Sequence, residues 1–442
     1  MAQGMGGSIQ PASRQAWGAS WPLWLFIALL GCLLSACSNN SSVAHTARRV
    51  SGPVLQTVHL KQQPFVMVAD APTGRIVVLS TNNPYATDYN LLVTSIQVLD
   101  ATTGTLVRTV PVSGYVPFVT PTGTTTFAVD PRGGQVFLAS AQHVDSSGSL
   151  VGHGALRVID GRTGHIVRTV ALPYVPCALV LDASAGRIFV GLGGLSGVPA
   201  TVAMLDERTG TLLRITPVHG APCLPGVDER RGTVYFASLD PTVQQVLALD
   251  VRTGRVRTTI AVTGEGTIDS LAIDESAGRV LVDQFDGQSR RGNLSIFDAP
   301  TGRHVATVDG VGGEPLVVDA GKGRAYAVKR AVSTSNADDI VINTVATRTG
   351  QLVRQVEVAP AAENGAGAAL TVDALRRHVL AVPAHGDARL HVLDAGSGRQ
   401  LRTVALGGTI GTPAIVVDER TARIFVANAE ASVVDVLDAA RL

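Results

Sequence analysis

The sequence predicts an all-β fold, a β-propeller of eight four-stranded blades closed by an N-terminal strand that completes the last blade. Three observations predict it: one turn that recurs along the chain, a repeat unit of two turns and four strands, and an offset between the two chain ends. The turn is clearest where V-L-D-A-T-T-G-T-L-V-R-T-V sets Asp100 and Gly104 between two apolar runs. An Asp carboxylate accepts hydrogen bonds from backbone N–H groups one or two residues on, and Gly takes the positive φ that closes a bulged hairpin at little steric cost. Asp with Gly four residues later recurs from Asp70/Gly74 to Asp394/Gly398, and with degenerate copies at Ala346, Asp373, Asp418 and Asp438 the turns number sixteen.

Two kinds of turn alternate. The first is Asp-x-x-x-Gly-Arg and then an apolar run, as from Asp182; the second is Asp-x-x-Thr-Gly and then Leu/Val-x-Arg-Thr-Val, as from Asp160. Each pair supplies four strands. The first kind starts at Asp70, Asp130, Asp182, Asp228, Asp274, Asp319, Asp373 and Asp418, at intervals between 45 and 60 residues, the period of a propeller blade. Parallel solenoid coils need long crossovers, whereas tight Asp/Gly hairpins join antiparallel neighbours.

The chain ends fix the count at eight. The last unit stops after Asp438, where its outermost strand should start, and Ser51 to Leu60 aligns without a gap on Ser397 to Leu406. An N-terminal strand placed there completes the final blade and leaves no edge exposed.

Composition agrees with such a core. The chain has 442 residues, 45% hydrophobic but 4% aromatic, so its interior is built from Val, Leu, Ile and Ala. A net charge of +1 argues against a nucleic-acid or polyanion partner.

Residues 21–34 form an apolar run of fourteen, too short for a comfortable membrane span, preceded by Arg14 and followed by Ser35, Ala36 and Cys37. Leu34-Ser35-Ala36-Cys37 after such a run resembles a bacterial lipoprotein signal peptide. The resemblance implies cleavage before Cys37 and its lipidation, anchoring the protein in the cell envelope, at the cell membrane or the outer membrane, on the extracytoplasmic side. The division expected is 1–36 signal peptide, 37–50 lipidated cysteine and tether, and 51–442 propeller. Processing would remove Cys32 and all three tryptophans and leave Cys177 and Cys223 as the domain's only thiols.

Phe425-Val426-Ala427-Asn428, Val234-Tyr235-Phe236-Ala237 and their Gly-Arg context resemble the YVTN-type β-propeller repeats of extracytoplasmic bacterial proteins, over about residues 51–442. A second resemblance, carried by Ala248 to Gly254, is to the eight-bladed repeat of quinoprotein dehydrogenases and of the barrel-assembly propeller lipoprotein of outer membranes. Those repeats place a tryptophan four residues after the glycine. This chain has Arg108, Arg168, Arg214, Thr258, Ala306, Arg354 and Arg402 there, so quinone catalysis is not expected, and each arginine is read as pairing with acids on a neighbouring edge.

Both tight turns of every blade fall on one face of the disc, which leaves the variable loops to the other. The long ones are 82–90, 142–154, 285–293 and 329–339. Binding residues concentrate on loops carried by a rigid scaffold. Five residues before each first-kind Asp, at the mouth of the central channel, stand Phe65, Thr125, Cys177, Cys223, Asp269, Glu314, Ala368 and Pro413. Phe65, Cys177, Cys223, Asp269 and Glu314 are the candidate ligand-binding set. Asp269 and Glu314 are either solvated acids at the channel mouth or a carboxylate pair for a cation or for acid and base chemistry. Cys177 and Cys223, with His219, are a weak metal set without a fourth ligand. Two buried thiols are the expectation for the cysteines, because a disulfide needs Cα atoms within about 7 Å and splayed blades separate equivalent points.

No cofactor motif is visible. The residues favour a binding or interaction module, with an unidentified protein or small-molecule ligand, over an enzyme; a lactone hydrolase or dehydrogenase of the kinds propellers host, or an envelope assembly scaffold, are the alternatives.

Overall fold

The carboxylates make the turns. Asp100 Oδ1 accepts from the N–H of Thr102 at 3.0 Å, the N–H of Thr103 at 2.9 Å and the Thr103 hydroxyl at 3.1 Å. The reach is thus two and three residues on, one further than expected, since Gly104 N–H itself closes the loop onto the Asp100 carbonyl at 2.8 Å. First-kind turns work alike: Asp182 Oδ1 takes Ala185 N–H at 2.8 Å and the Ser184 hydroxyl at 2.6 Å. Gly104 sits at φ 73° and Gly186 at 64°, the left-handed region. In two degenerate turns the conformation persists without glycine, at Arg377 (φ 62°) and Ala422 (φ 57°).

A computed structural model describes residues 52–442 apart from 83–89, 118, 121–122, 125, 145–149, 195–197, 265, 288, 290, 314, 331–339, 360–366, 385 and 412. In it the hairpins assemble into eight consecutive four-stranded antiparallel blades, and the fold is the predicted β-propeller. Blade 3 is typical, with strands Pro176–Asp182, Arg187–Leu192, Thr201–Asp206 and Leu212–Pro217 in that order from the centre outward. Blades 1 and 2 are linked into one sheet by a single pair, Tyr115 with Ala141. First strands of consecutive blades touch all the way round, from Gln63–Asp70 through to Pro413–Asp418 and back.

Closure follows the alignment of the chain ends. Val54–His59 pairs antiparallel with Val433–Asp438, matching Val54 to Leu437, Gln56 to Val436 and His59 to Val433. Blade 7 has the same register, Gln400 to Leu393 and Arg402 to Val392, down to the bulge that skips one residue, Leu55 in the first case and Leu401 in the second. The Thr57 hydroxyl donates to the buried carboxylate of Asp435 across this seam.

The core lies between blades rather than at the centre. Eight apolar clusters each combine two neighbouring blades, and the one holding Val58, Met67, Phe425 and Val436 joins blade 8 to blade 1. Polar latches reinforce them. The acid after a first-kind Asp caps the preceding blade's turn: Glu229 accepts Ala183 N–H at 3.1 Å, Glu275 accepts Glu229 N–H at 3.2 Å and Glu419 accepts Ala374 N–H at 2.8 Å. Two of the recurring arginines also act between blades, and among the described residues they meet carbonyls rather than acids. Arg168 Nη1 donates to the Arg208 carbonyl at 2.9 Å and Arg402 Nη1 to the Arg441 carbonyl at 2.5 Å, each in the next blade's second turn. Glycine in that turn leaves room for the arginine stem, since a Cβ on Gly210 would stand 3.1 Å from Arg168 Cδ. Packing plus a carbonyl acceptor therefore takes the place of the ion pair expected there.

Candidate functional site

Unequal faces define where a ligand can be held. Among the described residues one face carries only the short Asp turns. The opposite face is elaborated, and not only by loops. Stretch 142–154, expected as a loop, is largely a β-ribbon, since Val144 pairs with Leu150 and His143 with Val151. Blade 1 extends similarly, with Leu91 opposite Val116 and Val93 opposite Gly114, and blade 5 pairs Asp286 with Arg291. Ladder hydrogen bonds make these ribbons stiffer platforms than free loops.

The positions five before each first-kind Asp share a geometric device. Phe65, Cys177, Cys223 and Asp269 each fall in the register break of an innermost strand, between Pro64 and Val66, Pro176 and Ala178, Pro222 and Leu224, and Ile268 and Ser270. A β-bulge puts two residues opposite one and re-aims the extra side chain. In blades 3 and 4 it turns the cysteines toward each other. Their Cα atoms are 5.0 Å apart and Cys177 and Cys223 form a disulfide. This overturns the expectation of two separate thiols: blades splay outward, but at their innermost strands they converge. With both sulfurs in the bridge neither thiolate is offered to a metal, and His219 is exposed, its carbonyl accepting from Gln245 Nε2 at 3.0 Å. Among the described residues no three His, Cys, Asp or Glu side chains form a metal-binding group.

The candidate set is therefore divided. Phe65 is 5% exposed and packs between blades 1 and 2 with Val93 and Phe127, so it belongs to the core rather than to a shared cavity. The bridged cysteines are buried as well. Asp269 is half-buried and accepts from the Thr267 hydroxyl at 3.1 Å. Glu314 and Thr125 lie outside the described residues, and so does Cys37. Sequence reasoning passed over Asp283, fully buried opposite Ser270 at the blade 5 bulge, which accepts Gly313 N–H at 2.6 Å. Its signal was an acid directly after the apolar run Val280-Leu281-Val282 of a second strand. The innermost strands themselves present half-buried Val68, Ala128, Val180, Ala272, Val317 and Val416, a wall that offers packing surface and few hydrogen bonds.

On the short-turn face all eight first-kind Asp carboxylates are buried. The residue after the second-kind position can reach the preceding blade's buried carboxylate: in blade 6 the Thr347 hydroxyl donates to Asp274 Oδ2 at 2.5 Å. In blade 3 that residue is Glu207. Burial, then the charge of Asp130, push its carboxyl up to about 7, against the opposing Arg132 guanidinium 3.2 Å away.

No family model and no curated protein matches the chain. Solved structures do. The chain is similar to BamB from Moraxella catarrhalis (16% identity, TM-score 0.56, covering 87% of this chain and 99% of that one). It is similar also to Sqt1 from Saccharomyces cerevisiae (12%, TM-score 0.62, covering 88% and 99%). Hydrazine synthase from Kuenenia stuttgartiensis resembles it over less of the chain (12%, TM-score 0.54, covering 72% and 96%). Identities this low speak for the fold alone.

Proposed function

We propose that this propeller is a lipid-anchored, extracytoplasmic interaction module that holds a protein partner on its ribbon-bearing face. The asymmetry of the two faces carries the reading: one is a uniform array of capped turns, while the other bears ribbons that differ from blade to blade. A partner needs distinctive surface, and only the second face supplies much of it. The Cys177–Cys223 bridge supports an oxidising compartment, where such bonds persist. So does the Leu34-Ser35-Ala36-Cys37 motif, and so does the YVTN-type context of Phe425 to Asn428. Val54, the first paired residue, lies beside Leu437 at the short-turn end of blade 8.

The test uses the full-length protein in cells. Photo-crosslinkers at Thr242 and Asp286, on the ribbon face, should capture a partner, and crosslinkers at Thr103 and Thr301, in second-kind turns, should not. Capture only through the turns would overturn the docking assignment. For the anchor, Cys37→Ala should release the protein from membranes, and detection of Trp24 in the mature chain would refute cleavage before Cys37.

A further inference from the structure

The repeat contains its own control for an unassigned site. An arginine following the first-kind glycine faces the second-kind Asp across the two middle strands of a blade. Arg75 pairs with Asp100, Arg187 with Asp206 at 3.0 Å, Arg279 with Asp298 at 3.0 Å and Arg423 with Asp438 at 3.4 Å. In blade 6 the register sets Arg324 opposite Ala346. The guanidinium keeps the pose of the others, Nη1 donating to the preceding glycine's carbonyl at 3.2 Å as Arg279 Nη1 does at 3.1 Å. What it lacks is the carboxylate.

The turn lacks it too. Elsewhere the second-kind Asp also takes the N–H and hydroxyl of the threonine three residues on, at 2.8 Å each for Thr209 on Asp206. Thr349 in blade 6 has its N–H on the Ala346 carbonyl instead, at 3.3 Å, and its hydroxyl has no carboxylate to meet. At this point lies a pocket of about 420 Å³ whose lining includes Lys322, Arg324, Arg348 and Thr349 and no acid. None of the three cations forms an ion pair among the described residues. The nearby carboxylates are engaged inside the fold: Asp274 by Ser276, Ala277 and Thr347, and Asp319 by Lys322 N–H at 3.1 Å.

We propose that this pocket binds a small organic carboxylate, which stands where the side chain of Asp stands in the sister blades. One oxygen takes Arg324 Nη1 and the other takes Thr349, the two acceptor positions the repeat is built to fill. Lys322 and Arg348 at the exposed rim favour a second negative charge, so a dicarboxylate suits the site better than a monocarboxylate. The site is on the face opposite the docking surface proposed above, and either assignment can fail without the other.

The experiment titrates the purified mature chain with succinate, acetate, phosphate and neutral succinamide at constant ionic strength, by calorimetry. Succinate should saturate a single site with a Kd below about 1 mM, more tightly than acetate, and succinamide should not bind. Ala346→Asp supplies the missing carboxylate from the chain itself; it should raise the melting temperature and weaken succinate by at least about tenfold. Arg324→Gln should weaken binding similarly, and Lys322→Gln, an exposed change that spares the fold, should reduce the preference for succinate over acetate. Absence of saturation, unchanged binding in Ala346→Asp, or phosphate outcompeting succinate would each overturn the assignment.

Discussion

Replacing Cys177 and Cys223 together with alanine isolates what the bridge contributes. It joins residues 46 apart in sequence and so encloses blade 3 from Cys177 onward in a covalent loop. Opening a loop of that length returns about 4 kcal/mol of conformational entropy to the unfolded chain. Without a bridge the same substitution trims two small buried side chains, with a cost on the order of 1 kcal/mol. Urea unfolding should therefore show the double variant less stable by about 4 to 5 kcal/mol. Hydrogen exchange should locate the loss in Pro176–Asp182 and Pro222–Asp228, the strands the bridge joins. Reductant should destabilise the parent and leave the variant unchanged. A thiol titration of the denatured, unreduced mature domain that finds both cysteines free, or a stability loss near the packing value alone, would refute the bridge.

Three further outcomes are expected. Gly104→Ala should cost more than about 1 kcal/mol, through its positive φ and a Cβ that would stand 2.8 Å from Val436, while Ala422→Gly should recover about 1 kcal/mol by relieving the left-handed alanine; paired thermal melts check both signs. Glu207 holds its proton to about pH 7 when folded but only to its ordinary 4.5 when unfolded, so its contribution to stability is complete below pH 4.5 and is lost as pH rises through 7; Glu207→Gln should flatten that stretch of the stability profile, and an unchanged slope would discount the Asp130 contact. Removing residues 52–60 bares the edge of Val433–Asp438 and unpacks Val58 from Val434 and Val436, so the protein should aggregate or unfold without cooperativity, as light scattering during a melt would show.

Much of the fold was legible because its determinants are local. Asp100 and Gly104 fix a hairpin from within a handful of residues, and the alignment of Ser51 to Leu60 on Ser397 to Leu406 carried even the register of a strand pair whose members stand at opposite ends of the chain. Distances between blades were not legible. Equivalence placed Cys177 and Cys223 correctly, but their convergence depends on bulges at Pro176 and Pro222 that no spacing announces. The arginines were assigned acids because charge suggests charge, whereas the reach of Arg168 and Arg402 ends at carbonyls of Arg208 and Arg441, set by backbone that the pattern leaves silent. Blade 6 shows the converse. Ala346 was visible as a degenerate turn, but only the register against Arg324 reveals what its degeneracy leaves without a counter-ion.

The seam of blade 8 also imposes a temporal order. Val54–His59 is the first strand of the domain to be made and its partner, Val433–Asp438, the last, so the ring stays open until every other strand of the domain has been made. Thr57 and Asp435 are 378 residues apart, and bringing such distant segments together is slow compared with closing any single hairpin. Through that interval seven blades can form by neighbour contacts while the first strand waits unpaired, an edge open to the wrong chain. The interblade clusters then lock in a ring that neither end can leave alone. A chain truncated before Val433 should stay protease-sensitive at residues 52–60 however long it is left to fold, and protection of that segment would show that it finds another partner first.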